Sequence, residues 1–154
     1  MTNSQVSFQT SSTDARDEFL RSLIGRPYRK NARGPDEFDC WHLAVYVQKH
    51  LYGREAPNVE VPEKANWGWM IEQFTTHPEL GNWIECLQPS NGLVNALDGA
   101  MVLMARMTQP AHCGVYCAFE RSIIHADENV GVIFQSLQVV KSNGWSRLRF
   151  YEPR

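Results

Sequence analysis

Cys40 is the residue of this sequence best suited to nucleophilic chemistry. It stands between an acid and a tryptophan, directly before an apolar helical pattern that ends at Gly53. A cysteine in the first turn of a helix lies near the positive end of the helix dipole, which favours the thiolate. Taken alone, the stretch favours a small buried hydrophobic residue, because free cysteine is among the most buried residue types. A nucleophile needs a base, so the histidines decide between the two interpretations.

His112 and His125 are the best candidates for that base. His42 lies only two residues after Cys40 on the same predicted helix, and it points to a different face. His112 and His125 fall on two consecutive β-prone segments, and adjacent antiparallel strands lie roughly 5 Å apart. One histidine could then contact the Cys40 sulfur, while the other histidine orients the first, as in nucleophilic catalysis. The alternative is that the two histidines have a structural role only, as hydrogen-bonded residues on a sheet.

The same segments contain His112, Cys113, Cys117 and His125, which resembles a set of zinc ligands. Residues four apart on a strand are separated by roughly 13 Å, whereas two thiolates on one zinc lie about 4 Å apart. His112 also faces away from Cys113. We therefore expect no metal and no other cofactor, and no disulfide between Cys113 and Cys117. Packing is the expected role of Cys86, Cys113 and Cys117.

The elements that must position these residues are helices first and strands afterwards. A helix capped at Thr13 or Asp14 should end before Gly25, and a second should run from Cys40, capped by Asp39, to Gly53. A third helix and a short strand are expected between residues 62 and 88. The last third predicts an antiparallel meander of five runs: AMVLMARM, HCGVYCAF, SIIHAD, GVIFQS and RLRFYE. The fold class is therefore α+β, with the helices packed on the sheet.

Composition limits the domain organisation and the partners. The chain of 154 residues, 43% hydrophobic and 21% charged, fits a single globular domain over 13–154 after a flexible leader over 1–12. The net charge of −2 excludes a nucleic-acid or anionic-membrane partner of the electrostatic kind. The polar start is not that of a secretory signal, and no apolar run reaches membrane-span length. We expect synthesis in a cytoplasm and no membrane partner.

Four segments in order resemble the NlpC-type family of cell-wall cysteine peptidases, which have a papain-like fold. The segments are IGRPYRKNARGPDEFDCWHLA, LDGAMVLMAR, HCGVYCAF and SIIHAD. The resemblance implies that Cys40 is the nucleophile and His112 the base that keeps it ionised. It implies that His125 is the polar residue that orients the catalytic imidazole. With these companions, a nucleophile becomes the favoured interpretation of Cys40.

The resemblance also implies a substrate-binding part of the cleft. Tyr28 matches a family tyrosine whose hydroxyl lies near the reacting carbonyl, and the Cys40 backbone N–H would be an oxyanion donor. Asp39 matches an acidic residue that helps to bind the amine end of the substrate. Trp41 and His42 replace the small polar residues that many members have after the cysteine. That variant resembles the forms found with phage tails and prophages.

The function implied is hydrolysis of an amide in the peptide stems of peptidoglycan, typically between γ-D-glutamyl and diaminopimelate residues. A phage tail or lysis would deliver the enzyme to the wall, so tail proteins are possible partners. Two alternatives stay open. One is a catalytically inactive structural or binding module of a tail. The other is a papain-like amidase or acyltransferase with a substrate other than peptidoglycan.

Overall fold

Two helices form the amino-terminal part of the fold, and the second begins at Cys40. In the computed structural model, which describes residues 12–154, α1 spans Ser12–Leu23 and α2 spans Cys40–Tyr52. Asp39 caps α2 by accepting a hydrogen bond from the backbone N–H of His42, and Gly53 ends it in the left-handed conformation. Both caps are as predicted. The predicted leader lies outside the described residues except for its last position, where α1 begins.

The middle of the chain contains the predicted third helix and short strand. α3 spans Trp67–Thr76, a 3-10 helix follows over Pro78–Asn82, and β1 spans Trp83–Cys86. The Asn66 side chain starts α3 by accepting a hydrogen bond from the backbone N–H of Trp69 at 3.0 Å.

The remaining strands and a fourth helix complete the fold. They are β2 Met101–Ala105, β3 His112–Cys117, β4 Ser122–Asp127, β5 Gly131–Ser136, α4 Leu137–Ser142 and β6 Arg147–Pro153. The antiparallel sheet has the order β1-β6-β2-β3-β4-β5. The meander prediction is correct from β2 to β5 and wrong for β6. That strand crosses back to pair with β2, because the unpredicted α4 intervenes after β5 and carries the chain across the sheet.

Both faces of the sheet are covered. On one face the apolar side chains of α1 and α2 pack against Val115 and Ile124 of the central strands. On the other face, Ile123 and Phe150 pack with Val140 of α4. The central strand β3 is consequently buried along its whole length. This arrangement confirms the predicted α+β class. It packs α2 against β3, and a hydrogen bond joins Cys40 at the start of α2 to Cys113 near the start of β3. No helix within residues 12–154 combines the length and the apolar character needed to cross a bilayer.

Candidate active site

The predicted nucleophile, Cys40, and the predicted base, His112, line the same cleft, which has a volume of about 350 Å³. Cys40 enters it from the first position of α2, and His112 enters it from the first position of β3. The two side chains are otherwise enclosed, with exposed fractions of 3% and 7%. A substrate can therefore reach them only through the cleft. Tyr28, Asp39 and Trp41 line the same cleft, whereas His125 lies behind His112.

A directed chain of hydrogen bonds holds the His112 ring. His112 Nε2 lies 2.9 Å from His125 Nδ1, and His125 Nε2 lies 3.0 Å from Gln135 Oε1. The amide oxygen of Gln135 can only accept, so His125 Nε2 carries a proton and His125 Nδ1 accepts. His112 Nε2–H is then the donor to His125. The neutral His112 ring has its free lone pair on Nδ1, the nitrogen that is left to the cleft.

Gly114 gives the two histidines room to meet. A Cβ at this position would lie 2.6 Å from the Ile123 side chain, 2.7 Å from the Ile124 carbonyl oxygen and 3.0 Å from the His125 Cβ. Only glycine lets β4 bring His125 this close to β3. Gly114, two residues after His112, thus marks the close approach of β4 to β3.

Burial keeps both histidines neutral. It is the main reason that the pKa of His112 lies well below its ordinary value of 6.5, and the charges of His125 and Arg106 act in the same direction. Burial also lowers the pKa of His125, against the opposing effects of Gln135 and Asp127. At neutral pH, His112 is therefore an unprotonated ring that can accept a proton from a thiol.

Tyr28 is fixed by a loop that folds back onto α2. It forms a β-bridge with Phe38, which is fully buried and precedes Asp39. Burial raises the pKa of Tyr28, and its electrostatic interactions with Cys40 and Asp39 raise it further. The phenol keeps its proton over the physiological range and can serve as a hydrogen-bond donor in the cleft.

Asp39 is fully engaged within the protein. Its carboxylate accepts from the His42 backbone N–H at 2.8 Å, from His42 Nδ1 at 2.9 and 3.0 Å, and from the Asn31 backbone N–H at 2.9 Å. His42 Nε2 accepts a hydrogen bond from the Val59 backbone N–H at 3.2 Å. Both ring nitrogens of His42 are therefore occupied, and His42 is not the base for Cys40. Binding of a substrate amine by Asp39 stays a prediction.

Trp41 anchors a wall of the cleft. Its indole N–H donates to the Pro57 carbonyl oxygen at 2.8 Å, within the segment 54–66 that joins α2 to α3. Lys30 donates to the carbonyl oxygens of Glu63 and Ala65 at 2.9 and 3.0 Å, further along the same segment. Trp41 and Lys30 thus hold the segment against the start of α2.

Three residues of the site were missed by sequence reasoning: Gln135, Trp145 and Arg106. The Trp145 ring stacks on His112 with centroids 4.8 Å apart and an interplanar angle of 19°. The Arg106 guanidinium lies 4.1 Å from the Trp145 ring centroid. Gln135 could have been found from the two-residue alternation of the strand after His125. Trp145 and Arg106 carry no comparable signal, since the loop after α4 and the end of β2 bring them together.

The four residues considered as zinc ligands are not brought together. Cys113 and Cys117 pack in the core on the α2 side of the sheet, while His112 and His125 are hydrogen-bonded to each other. Within residues 12–154, no group of three or more His, Cys, Asp or Glu side chains could hold a metal ion. Burial raises the pKa of Cys113, and a hydrogen bond with Cys40 raises it further. Cys113 is thus a protonated thiol directly behind the candidate nucleophile.

Comparison with known proteins gives a fold. No family model matches the chain. An alignment of 110 residues at 29% identity pairs it with the human E3 ubiquitin-protein ligase TRIM58, covering 66% of this chain and 22% of the ligase. The chain thus spans about a fifth of the length of the curated relative that it matches. Ligase activity is a property of that human protein and is not transferred to this chain.

Two solved structures are similar over nearly the whole chain. The NlpC/p60 domain of the peptidoglycan hydrolase SagA aligns with a TM-score of 0.51 and 18% identity, over 94% of this chain and 99% of that domain. NlpC2 from Trichomonas vaginalis aligns with a TM-score of 0.50 and 16% identity, over 97% of this chain and 48% of that protein. The chain therefore has the fold of NlpC/p60 domains, the papain-like arrangement that the sequence resemblance implied.

Proposed function

We propose that this chain is a cysteine peptidase that hydrolyses an amide bond in the peptide stems of peptidoglycan. The observation that carries the proposal is the directed hydrogen-bond chain from Gln135 through His125 to His112. It leaves the basic nitrogen of His112 to the cleft that Cys40 lines. The NlpC/p60 fold supports the choice of peptidoglycan, since one structure of that fold is a peptidoglycan hydrolase.

In the first half of the reaction the thiol becomes an acyl carrier. His112 Nδ1 takes the Cys40 thiol proton while the sulfur attacks the amide carbonyl carbon. The Cys40 backbone N–H, which has no partner within the first turn of α2, and the Tyr28 hydroxyl donate to the developing oxyanion. The C–N bond then breaks, and the leaving amine takes the proton from His112.

In the second half, water releases the acyl group. His112 accepts a proton from the water, and the oxygen attacks the thioester carbonyl carbon. The C–S bond breaks, and the sulfur recovers the proton from His112. A carboxylic acid leaves, and the enzyme returns to its starting state. Trp145 and His125 fix the plane of the His112 ring through both halves.

Digestion of purified sacculi tests the proposal. We expect the protein to release soluble fragments, and we expect Cys40→Ala to release none. Cys86→Ala is the matched control, because it removes a thiol from β1 outside the cleft and should leave release unchanged. Mass spectrometry of the fragments should show new ends at γ-D-glutamyl and diaminopimelate residues.

The alternatives predict other results in the same assay. Equal digestion by Cys40→Ala would exclude the thiol mechanism. Binding of sacculi without digestion by the native protein would favour an inactive binding module. Cleavage of a non-peptidoglycan amide alone would favour the broader amidase or acyltransferase function.

We further propose that this activity serves a phage or prophage tail. The support is the Trp41-His42 pair, which resembles the phage-associated form and anchors the 54–66 wall through Pro57 and Val59. Tail genes should then flank the gene for this chain. Flanking genes for unrelated functions would contradict the tail assignment and leave the proposed hydrolysis untouched.

A further inference from the structure

Arg106 is a cation beside the candidate base. It follows the last residue of β2, and the register between β2 and β3 pairs Met104 with His112. Arg106 and His112 line the same cleft. The guanidinium is near enough that its charge helps to lower the pKa of His112. The ring of Trp145 contacts both side chains, so a group bound to Arg106 would lie in the cleft that also contains Cys40 and His112.

The guanidinium is held in place without being neutralised. Arg106 Nη1 donates to the carbonyl oxygen of Asn143 at 2.9 Å, and the guanidinium carbon lies 4.1 Å from the centroid of the Trp145 ring. Gly144 leaves room for the guanidinium of Arg106, because a Cβ at position 144 would collide with Arg106 Nη1. A carbonyl oxygen and an aromatic ring position the cation, and neither removes its positive charge.

Among the ion pairs of residues 12–154, none includes Arg106. Four carboxylates within this range line the cleft; Glu128 forms no ion pair with Arg106, and the other three accept hydrogen bonds from other groups, Glu79 from Asn82 and Trp83. Asp39 accepts from His42 and Asn31, and Asp127 accepts from two backbone N–H groups of the following turn. Within residues 12–154, the guanidinium of Arg106 donates one hydrogen bond, through Nη1. Its remaining N–H groups form a fork that suits a carboxylate.

We propose that Arg106 binds a free carboxylate of the substrate next to the amide that is cut, so that the cleft selects acidic stem peptides over their carboxamide forms. This inference rests on the proposed peptidoglycan hydrolysis and names a substrate feature for the same site. A glutamyl residue linked through its γ-carboxyl keeps its α-carboxylate only a few bonds from that amide. The α-carboxylate is the group assigned to Arg106.

A matched pair of synthetic peptides tests the assignment. Both contain the γ-D-glutamyl-diaminopimelate bond, and they differ only in an α-carboxylate or an α-carboxamide on the glutamyl residue. We expect the native protein to cleave the carboxylate form with a kcat/KM at least about tenfold higher, as one charge-assisted hydrogen-bond pair provides. Arg106→Gln should lose this discrimination, while Arg106→Lys should retain part of it.

Arg147→Gln is the control for charge. Arg147 is exposed on β6 opposite Ala105, and the same charge change there leaves the cleft lining unaltered. It should retain the full discrimination. The ratio of the two rates is the decisive readout, because partial misfolding lowers both rates together.

Binding to Cys40→Ala separates failure of this inference from failure of the proposed function. Calorimetric titration should show tighter binding of the carboxylate peptide, and addition of Arg106→Gln should remove the difference. Equal cleavage of both peptides by the native protein would overturn the role of Arg106 and leave the hydrolase standing. Preferential binding without cleavage would support Arg106 and overturn the hydrolase. Absence of both binding and cleavage would overturn both.

Discussion

Gln135 decides which nitrogen of His112 carries a proton. Its amide oxygen accepts from His125 Nε2, and this fixes the direction of the hydrogen bond from His112 Nε2 to His125 Nδ1. Without that acceptor, the His125 ring could hold its proton on Nδ1 and compete with His112 for the role of donor. Gln135 is therefore a positioning residue, because it acts through His125 rather than on the substrate.

Gln135→Leu should lower kcat by about tenfold, the equivalent of one orienting hydrogen bond of about 1.4 kcal/mol. Gln135→Glu should retain most of the activity, because a carboxylate also accepts from His125 Nε2. The measurement is kcat and KM on a stem peptide, and KM should change little in either variant. A Leu variant as active as the Glu variant would show that the tautomer does not depend on this contact.

The positions of Cys40, His112 and His125 in the candidate site could be inferred from local sequence. Cys40 follows a good cap residue, and His112 and His125 stand on consecutive strands, so pattern alone brings them close. The Gln135 contact depends on the pairing of β4 with β5, and the Trp145 contact depends on the loop after α4. The alternation along β5 can mark Gln135 as a candidate, but both contacts lie between elements, and no local spacing predicts their geometry.

At the scale of elements, the segment 54–66 closes one side of the cleft without regular secondary structure. Trp41 donates to Pro57, and His42 accepts from Val59, so the first turn of α2 holds the segment. Trp41 and His42, the two residues after Cys40, thus have a defined structural task. Lys30 adds two hydrogen bonds near the start of α3.

Trp41→Phe should loosen the segment 54–66 while keeping the apolar packing of the ring. It removes the indole N–H donor to Pro57, so amide hydrogen exchange within 54–66 should become faster. The free energy of unfolding should fall by no more than about 1 kcal/mol. Trp83→Phe is the control, because its indole N–H donates to Glu79 instead. Unchanged exchange in 54–66 for Trp41→Phe would mean that other contacts hold the segment.

The helices and most of the strands could also be predicted from the sequence, since caps and alternation are local signals. α2 runs between Asp39 and Gly53 as predicted. The position of β6 beside β2 could not be predicted from the sequence, because it depends on which sheet edge is free and on the short α4. Long-range pairing of this kind leaves no periodic trace in the sequence.

At the scale of the whole molecule, Arg16 ties α1 to the opposite end of the sheet from the cleft. Its side chain, only 10% exposed, pairs with Asp98 at 2.6 Å and Glu120 at 2.9 Å and donates to the Tyr52 hydroxyl at 3.3 Å. Asp98 also accepts from the backbone N–H of Ala118 at 2.7 Å. One guanidinium thus joins α1, α2 and the turns that flank β2 and β3.

Arg16→Met should lower the free energy of unfolding by about 2–3 kcal/mol, because it leaves two partly buried carboxylates facing each other. Chemical denaturation measures the loss, and kcat per folded molecule should not change. Arg26→Met is the control, since its pair with Asp36 is exposed and 3.8 Å long, and it should cost less than about 0.5 kcal/mol. Equal effects of the two variants would refute a special role for Arg16.

Stability of the whole molecule should fall on mild acidification because His112 and His125 are buried as neutral rings. Both have pKa values below the ordinary 6.5, so below that pH the unfolded chain binds protons that the folded protein does not. The contribution of the two histidines to the free energy of unfolding should be at its maximum above about pH 6.5. It should then decrease by up to about 1.4 kcal/mol per pH unit for each histidine as the pH falls toward the folded-state pKa values.

Denaturant titrations between pH 8 and pH 5.5 measure this slope, in a range where ordinary carboxylates remain ionised. The double variant His112→Gln with His125→Gln should be less stable at pH 8 because the hydrogen-bond chain is altered. Its stability should nevertheless vary less with pH over this range, because neither glutamine titrates. Parallel pH profiles for the two proteins would show that the pH dependence arises from other groups. A native protein that gains stability on acidification would contradict the sign of both shifts.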